Sequence, residues 1–454
     1  MIQNYHFRGG NPMFTLIIAK NFKSLDNIEI NFCKNKSTVN NFVAIYGENG
    51  AGKTNIVELF DFLTKTITAR TYEVKLATVL NQELADIDID LTEFYKKAFN
   101  VKPDYKEYRT IDEKGVTEIS YCFEFNERKY KYEISFNDRV IKEELYFAKL
   151  KSNSYTNIFK IWNNGILNSD INVKCFINNK YNNELIEEIR KYWGKYTFLS
   201  ILTLENVEKN IEYVKENVGQ ELYDAMDYMI STIVQVKESK NNMFPYVNFK
   251  ENNLLNLERV VINPKKEDIL KKYEEVLRIF FTEAYSDIKD VVYLVKKENE
   301  ETSYELNFKK VIGGKLRTIP VSAESSGTRR IVQQFNKFLM ALDGKTVVID
   351  EIDDGIHDLL MKNIITSLKE EITGQMIITT HNTLLLEELP KESIYLIVVD
   401  RDGKKSINSL KDYNYRIQKN NNTRNLYLKG MFGGIPLSEY IDFEAIKEVM
   451  KDKE

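Results

Sequence analysis

The sequence predicts an α/β fold: a mixed sheet flanked by helices, an antiparallel β element beside it, and a helical insertion. Three observations predict it. An apolar run over 42–46 meets the loop GENGAGKT and then apolar residues at helical spacing, Ile56, Val57, Phe60 and Leu63. Ile119, Tyr121, Phe123 and Phe125, then Tyr130, Tyr132, Ile134 and Phe136, alternate about Asn126 and Glu127, the pattern of a β-hairpin. From Thr328 onward helical and strand patterns alternate strictly, which asks for parallel strands joined by helical crossovers.

In chain order, residues 14–19 read as a first strand, and Ile28, Ile30 and Phe32 alternate as a second. The buried strand over 42–46 and its helix follow; residues 64–115 carry no assignable pattern. The hairpin over 119–136 comes next. From about 151 to 290 helical spacing dominates, in Val207, Ile211, Val214 and Val218, then in Leu222, Met226, Met229 and Ile233. Asn263 and Pro264 form a cap for a helix carrying Leu270, Tyr273, Leu277 and Phe280. No heptad persists long enough for a coiled-coil arm, so this segment is expected to be a compact insertion. Strands return at 291–295 and at Tyr304, Leu306 and Phe308. The expected organisation is an N-terminal lobe over 1–150, a helical insertion over 151–290 and a C-terminal lobe over 291–454.

The loop over 41–54 carries the chemistry. Gly47, Gly52, Lys53 and Thr54 satisfy G-x-x-x-x-G-K-[ST], between a strand and a helix as that motif requires. Glycines let the backbone N–H groups wrap phosphates, and the new helix turns its positive end toward them. The nucleotide-binding set is therefore Gly47, Glu48, Asn49, Gly50, Ala51, Gly52, Lys53, Thr54 and Asn55, with Lys53 reaching the β/γ-phosphates and the Thr54 hydroxyl on Mg²⁺. A second GKT at 344–346 lacks the first glycine and precedes a strand, so it is a decoy.

TVVIDE ends an apolar strand on Asp350 and Glu351. Acids at the carboxyl end of a buried parallel strand face the crevice where such sheets bind ligands. Asp350 fits a metal-holding acid and Glu351 the residue that polarises an attacking water. QMIITTH ends the next strand on His381, one of only three histidines, where a γ-phosphate sensor is wanted. Ser325, Ser326 and Gly327 begin a helix shortly before the acidic strand and would present a hydroxyl, a tight turn and helix N–H groups to an anion, though Ser-Ser-Gly also reads as a plain helix cap.

Composition narrows the alternatives. A chain of 454 residues, 43% hydrophobic and 29% charged, has room for two or three cores. A net charge of −4 gives no whole-surface footprint for nucleic acid. No apolar run reaches the ~18 residues a bilayer span needs, and the first residues hold no secretory segment. Cys33, Cys122 and Cys175 are scattered without metal spacing, so neither zinc nor disulfides are expected and the expected location is cytoplasmic, with no membrane partner. The guanine-reading N/T-K-x-D motif is absent, which argues against a GTPase.

GENGAGKT, ESSGTRR, VVIDEIDDGIH and ITTH, in that order, resemble the ABC-type ATPase heads of the RecF, SMC, Rad50 and OLD group. With NFKSL near the start and YLKGMFGGIP over 427–436, the chain looks closest to the bacterial abortive-infection (RloA/AbiLi-like) AAA-family ATPases encoded beside effectors. The resemblance implies an ATP- and Mg²⁺-dependent hydrolase with Lys53, Glu351 and His381 catalytic and Thr54 and Asp350 on the metal. It implies that Ser325, Ser326, Gly327 and Thr328 cap the ATP of an opposite subunit, in a homodimer or higher homo-oligomer. ESSGT departs from the common LSGGQ form at Ser326 and Thr328. Asp354, His357 and their neighbours then form the loop, with its flank, that contacts the opposite subunit, with a structural part for His357 equally weighted. The glutamine loop of such heads has no locatable pattern; Gln82 is unsupported. The function implied is a sensor and switch controlling an effector, a nuclease or toxin, in anti-phage defence, with DNA or RNA left open as partners. The alternative is a RecF/SMC-like repair ATPase that clamps DNA directly. An OLD-like nuclease ranks last, because no clustered acids follow His381. The segment over 427–436 has no derivable chemistry and reads equally as a docking surface or a buried end.

Overall fold

The computed structural model describes residues 11–35, 38–83, 104–172, 179–208, 211–237, 257–261, 267–298, 301–413, 422–435 and 441–451. The chain opens with β1 (Met13–Phe22) and β2 (Leu25–Asn31), then a small ribbon of β3 (Cys33–Asn35) and β4 (Thr38–Val39). β5 (Phe42–Tyr46) leads through the glycine loop into α1 (Lys53–Glu83). Next come β6 (Thr117–Phe125), β7 (Arg128–Phe136), β8 (Val140–Lys149), β9 (Thr156–Asn163) and β10 (Leu167–Ile171). These five join the first two strands in one antiparallel sheet, ordered β10-β9-β8-β7-β6-β1-β2. The β6–β7 hairpin turns at Asn126 and Glu127, both at positive φ, as a two-residue hairpin turn demands.

Four helices follow, α2 (Asn179–Tyr192), α3 (Phe198–Glu208), α4 (Ile211–Asn217) and α5 (Gln220–Ile230), then a short strand β11 (Ile233–Gln235). A second lobe is built from β12 (Arg259–Val261), α6 (Glu267–Ala284), β13 (Ile288–Glu298), β14 (Glu301–Ile312) and β15 (Lys315–Pro320), with β12, β13 and β15 all paired to β14. The alternating part is α7 (Ser326–Leu342), β16 (Thr346–Ile349), α8 (Asp358–Glu371), β17 (Gln375–Thr379), α9 (Leu385–Glu388), β18 (Ile394–Val399) and β19 (Lys405–Ser409). α10 (Thr423–Leu428) and α11 (Phe443–Lys451) complete the described chain.

The central sheet runs β11-β16-β17-β5-β18-β19, parallel except for β19. Both faces are covered, which is why its strands are continuous apolar runs. Val43, Ile45, Val348, Ile377 and Ile397 face a core shared with the antiparallel sheet, α1, α3 and α5. Phe42, Ala44, Ile349, Ile378 and Leu396 face a second core shared with α6, α7 and α8.

Two segments differ from what the pattern predicts. α1 continues far past Leu63, and along it Thr66 and Thr68 turn their hydroxyls back onto the Phe62 and Thr64 carbonyls at 2.7 Å each. Buried threonines so satisfied sit on a packed helix face while reading as polar in the sequence. The expected helical insertion over 151–290 also holds strands: β9 and β10 extend the antiparallel sheet, and β11 joins the central one. Its described helices contribute to the same two cores. Phe198, Leu202, Met226 and Met229 bury with Phe60 and Leu63 of α1. The Glu143 carboxylate on β8 accepts from Phe198 N and Leu199 N at the start of α3, from Trp193 Nε1 at 2.9 Å and from Tyr132 Oη at 3.1 Å. The expected cap at Asn263 and Pro264, like Gln82's side chain, Cys175 and Pro436, lies outside the described residues. Among the described residues no helix is long and apolar enough to cross a membrane.

Candidate functional site

β5 is buried along its whole length and delivers the chain to the glycine loop at the sheet's carboxyl edge. Gly47 leaves little room for a side chain: a Cβ there would lie 3.3 Å from the Ile397 carbonyl oxygen and 3.3 Å from Ala51 Cβ. Gly52 takes φ +106, open to glycine alone without strain. Lys53, only 6% exposed, folds its ammonium over the loop, donating to the Gly47 carbonyl at 2.8 Å and the Glu48 carbonyl at 3.1 Å. Burial lowers its pKa, against the pull of Glu351, Asp350 and Asp353. The ammonium thus sits among acids from one loop, 350–353, and beside Glu48 of its own loop.

The sheet brings those acids in. β16 and β17 run parallel in register, so the residues just past their ends lie side by side. Asp350 is fully buried; its Oδ2 accepts from Thr54 Oγ1 at 3.0 Å and its Oδ1 from Thr379 Oγ1 at 2.6 Å. The Thr379 hydroxyl also accepts from Glu351 N at 2.7 Å, tying the two acids to the neighbouring strand. Glu351 stands at φ +45, a strained position for a side chain of its kind. Its carboxylate pairs with the Lys237 ammonium, which also lies 3.4 Å from Asp354 Oδ1. The bond to Glu351 raises the pKa of Lys237.

His381 follows β17 and lies exposed at the rim, its backbone N–H donating to Asp353 Oδ2 at 3.3 Å. Burial of part of the ring and the nearby Lys53 charge lower its pKa, so the neutral imidazole is favoured. The structure therefore gathers Lys53, Thr54, Asp350, Glu351 and His381 at one edge. It also adds four residues the sequence reading missed: Thr379, Asp353, Lys237 and Gln235. Gln235 ends β11, where its carbonyl accepts from Asp350 N at 2.9 Å. Its own Oε1 is buried without a hydrogen-bond partner among the described residues. The signal was present, since IVQVK is an apolar strand ending on a glutamine, yet nothing local says that it pairs with β16.

These donors suit the expected groups. Among the described residues no three His, Cys, Asp or Glu side chains form a ready metal cage. One carboxylate, one threonine hydroxyl and an orphaned amide oxygen instead match a hard cation that takes its remaining ligands from phosphates and water. Thr54 and Asp350 are the residues that would hold Mg²⁺, and the loop amides with Lys53 the phosphates.

The signature segment lies elsewhere. Ser325 caps α7, accepting from Thr328 N at 3.2 Å, and Ser325 and Ser326 are exposed. A Cβ on Gly327 would stand 2.5 Å from the Gly355 carbonyl oxygen, so α7 packs its first turn on the loop behind Glu351. Among the described residues no hydrogen bond joins Ser325–Thr328 to the glycine loop of the same chain. His357 caps α8, accepting from Leu359 N at its Nδ1, which gives it a structural part. The segment over 422–435 is partly buried against the central sheet. Tyr427 lays its ring 5.9 Å from that of Tyr46 and donates to the Gly434 carbonyl at 2.9 Å. A Cβ on Gly434 would lie 3.8 Å from Gly47 Cα, so this end of the chain buttresses the glycine loop.

Residues 216–387 match a family model described as an AAA domain, putative AbiEii toxin, Type IV TA system. That span holds Gln235, the signature, both acids and His381, and excludes the glycine loop. No curated protein matches the chain. Among solved structures, an SMC head bound to the C-terminal winged-helix domain of ScpA is 15% identical, with a TM-score of 0.41 over 87% of this chain and 97% of that one. The Pyrococcus furiosus Smc head with an extended coiled coil, bound to the C-terminal domain of ScpA, is 14% identical, with a TM-score of 0.38 over 88% of this chain and 97% of that one. The Thermotoga maritima SMC head is 14% identical, with a TM-score of 0.35 over 87% and 98%.

Proposed function

We propose that this chain is a Mg²⁺-dependent ATPase that dimerises around ATP and acts as a switch on a partner effector in anti-phage defence. The observation that carries the ATPase reading is the 3.0 Å bond from Thr54 Oγ1 to Asp350 Oδ2, with Glu351 beside it and Lys53 over the loop. A helix-opening threonine and a strand-ending aspartate, 296 residues apart in sequence, meet only because β5 and β16 flank β17. Thr54 and Asp350 would hold Mg²⁺, which would supply charge neutralisation for the phosphates. The loop amides and Lys53 orient the phosphates. Glu351 accepts a proton from the attacking water once Lys237 releases it. His381, neutral and at the rim, contacts the terminal phosphate.

The effector and defence role is supported by the description of the matching family, which names a toxin system, and by the motif order in the sequence. The exposed Ser325 and Ser326 support a shared site, since a cap for an anion is useless to its own loop if it faces away from it. ATP hydrolysis by the parent and by Lys53→Ala tests the core of the reading. The parent is expected to turn over ATP and the variant to be inactive while still folded, as circular dichroism reads it; robust hydrolysis by Lys53→Ala would sink it.

A further inference from the structure

A second lysine stands at the glycine loop, delivered from the far end of the chain. Lys405 opens β19, which pairs with β18 along the edge of the central sheet. Its ammonium donates to the Ser24 hydroxyl in the β1–β2 turn and lies 3.4 Å from the Gly50 carbonyl. Gly52 shows how tightly this wall is built. A Cβ there would lie 3.3 Å from Lys405 Nζ, 3.2 Å from Leu25 Cδ2 and 3.4 Å from Ser24 Oγ.

The ammonium is half-buried, and its contacts are a neutral hydroxyl and a carbonyl; among the described residues no carboxylate pairs with it. Burial alone lowers its pKa. A partly desolvated cation without a counter-ion is unfavourable, so the site is short of an anion. The direction in which the anion must lie follows from the loop. Thr54 bonds to Asp350, and Lys53 lies in the field of Glu351 and Asp350, which marks the γ-phosphate and metal end. Gly50 and Gly52 belong to the stretch whose amides cradle the α/β-phosphates, and Lys405 leans on that stretch.

We propose that Lys405 is a nucleotide-binding residue that contacts the α/β-phosphates, the part common to ATP and ADP, and so sets how tightly the head holds its diphosphate product. This rests on the ATPase reading and goes beyond it, because the phosphate-loop and acid motifs leave Lys405 without a part. Ser24 serves as the post that holds the ammonium at the loop until the nucleotide arrives.

Fluorescent (mant) ADP and ATP titrated into the full chain test it, with Lys405→Met removing the charge and keeping the stem and Lys405→Arg restoring the charge. Lys405→Met is expected to weaken both nucleotides equally, by about tenfold, the scale of one charge-assisted contact, at an unchanged melting temperature. Lys405→Arg should recover most of that loss, and added salt should narrow the gap between parent and Lys405→Met. Equal ADP affinity in parent and Lys405→Met overturns the inference, and so does a loss confined to ATP, which would move the lysine to the γ end. If the parent itself binds neither nucleotide, the ATPase reading falls, and this inference with it.

Discussion

Gly327 and Gly355 meet backbone to backbone: a Cβ on Gly327 would lie 2.5 Å from the Gly355 carbonyl oxygen. The first turn of the signature helix and the loop behind Glu351 therefore form one packed unit, closed further by the Gln334 amide donating to the Ile352 carbonyl at 3.0 Å. Glycine at 327 answers a close approach as well as any anion. Gly355 stands at φ +70, so the partner side of the contact also needs glycine.

Gly327→Ala is accordingly expected to push the loop away and destabilise the head by about 1–3 kcal/mol, the usual cost of overpacking against a wall that cannot yield. Denaturant unfolding measures it. ATP hydrolysis should fall as well, because Asp353 and Asp354 ride on the displaced loop. Unchanged stability would mean that the two backbones separate freely and that the unit does not exist.

Glu351→Gln should bind ATP and lose hydrolysis by about 10²–10⁴-fold, the scale of a general base. The change keeps the shape and removes the charge that now pairs with Lys237. Nucleotide binding and single-turnover hydrolysis separate the two effects, and failure to bind nucleotide would assign Glu351 a positioning part instead. His381→Ala is expected to slow turnover in the same assay; the parental rate would remove His381 from the site.

A pH dependence of stability follows from Glu143. Burial raises its pKa from the ordinary 4.5 to about 7, against the four donors from Phe198, Leu199, Trp193 and Tyr132 that favour the carboxylate. A carboxyl whose folded pKa is raised holds its proton more firmly folded than unfolded. Its contribution is complete below pH 4.5 and is lost as pH rises through about 7. Between pH 5 and pH 8 this group should cost the fold on the order of 3 kcal/mol. Melting temperatures across that range should fall more steeply for the parent than for Glu143→Gln, which starts lower because its amide faces donors. Parallel slopes would show that Glu143 titrates normally.

Much of the candidate site was legible because its signals are local. The loop over 47–54, the strand 42–46, the acids at 350–351 and His381 are each fixed by residues a few positions apart, and the structure brings them to one edge. What escaped depends on pairing between distant segments. Gln235 and Lys237 gain meaning only because β11 lies beside β16. Thr379 reads as the end of an apolar strand until its hydroxyl is seen bridging Asp350 and Glu351. β9 and β10 read as the start of a helical region because their strand character comes from the edge that β8 offers them. α1 hid behind threonines whose hydroxyls are satisfied within the helix.

The remaining prediction concerns assembly. In one chain the glycine loop, Asp350 and Glu351 form half a site, while Ser325 and Ser326 are exposed on a different helix with no hydrogen bond to that loop among the described residues. Two heads related by a two-fold axis would bring each signature onto the other's terminal phosphate. The phosphate charge is then shared by donors from both subunits, and hydrolysis removes the shared group and loosens the contact. Lys53→Ala spoils the loop and leaves the signature; Ser325→Arg spoils the signature and leaves the loop. Each variant alone should be inactive. Mixed, they should regain hydrolysis, because a mixed dimer carries one site with an intact loop facing an intact signature. The rate should rise with the fraction of mixed dimers, counted by native mass spectrometry, and fall on dilution. An inactive mixture in which mixed dimers are counted, or a monomer hydrolysing ATP at the full rate, would place the whole site within one chain.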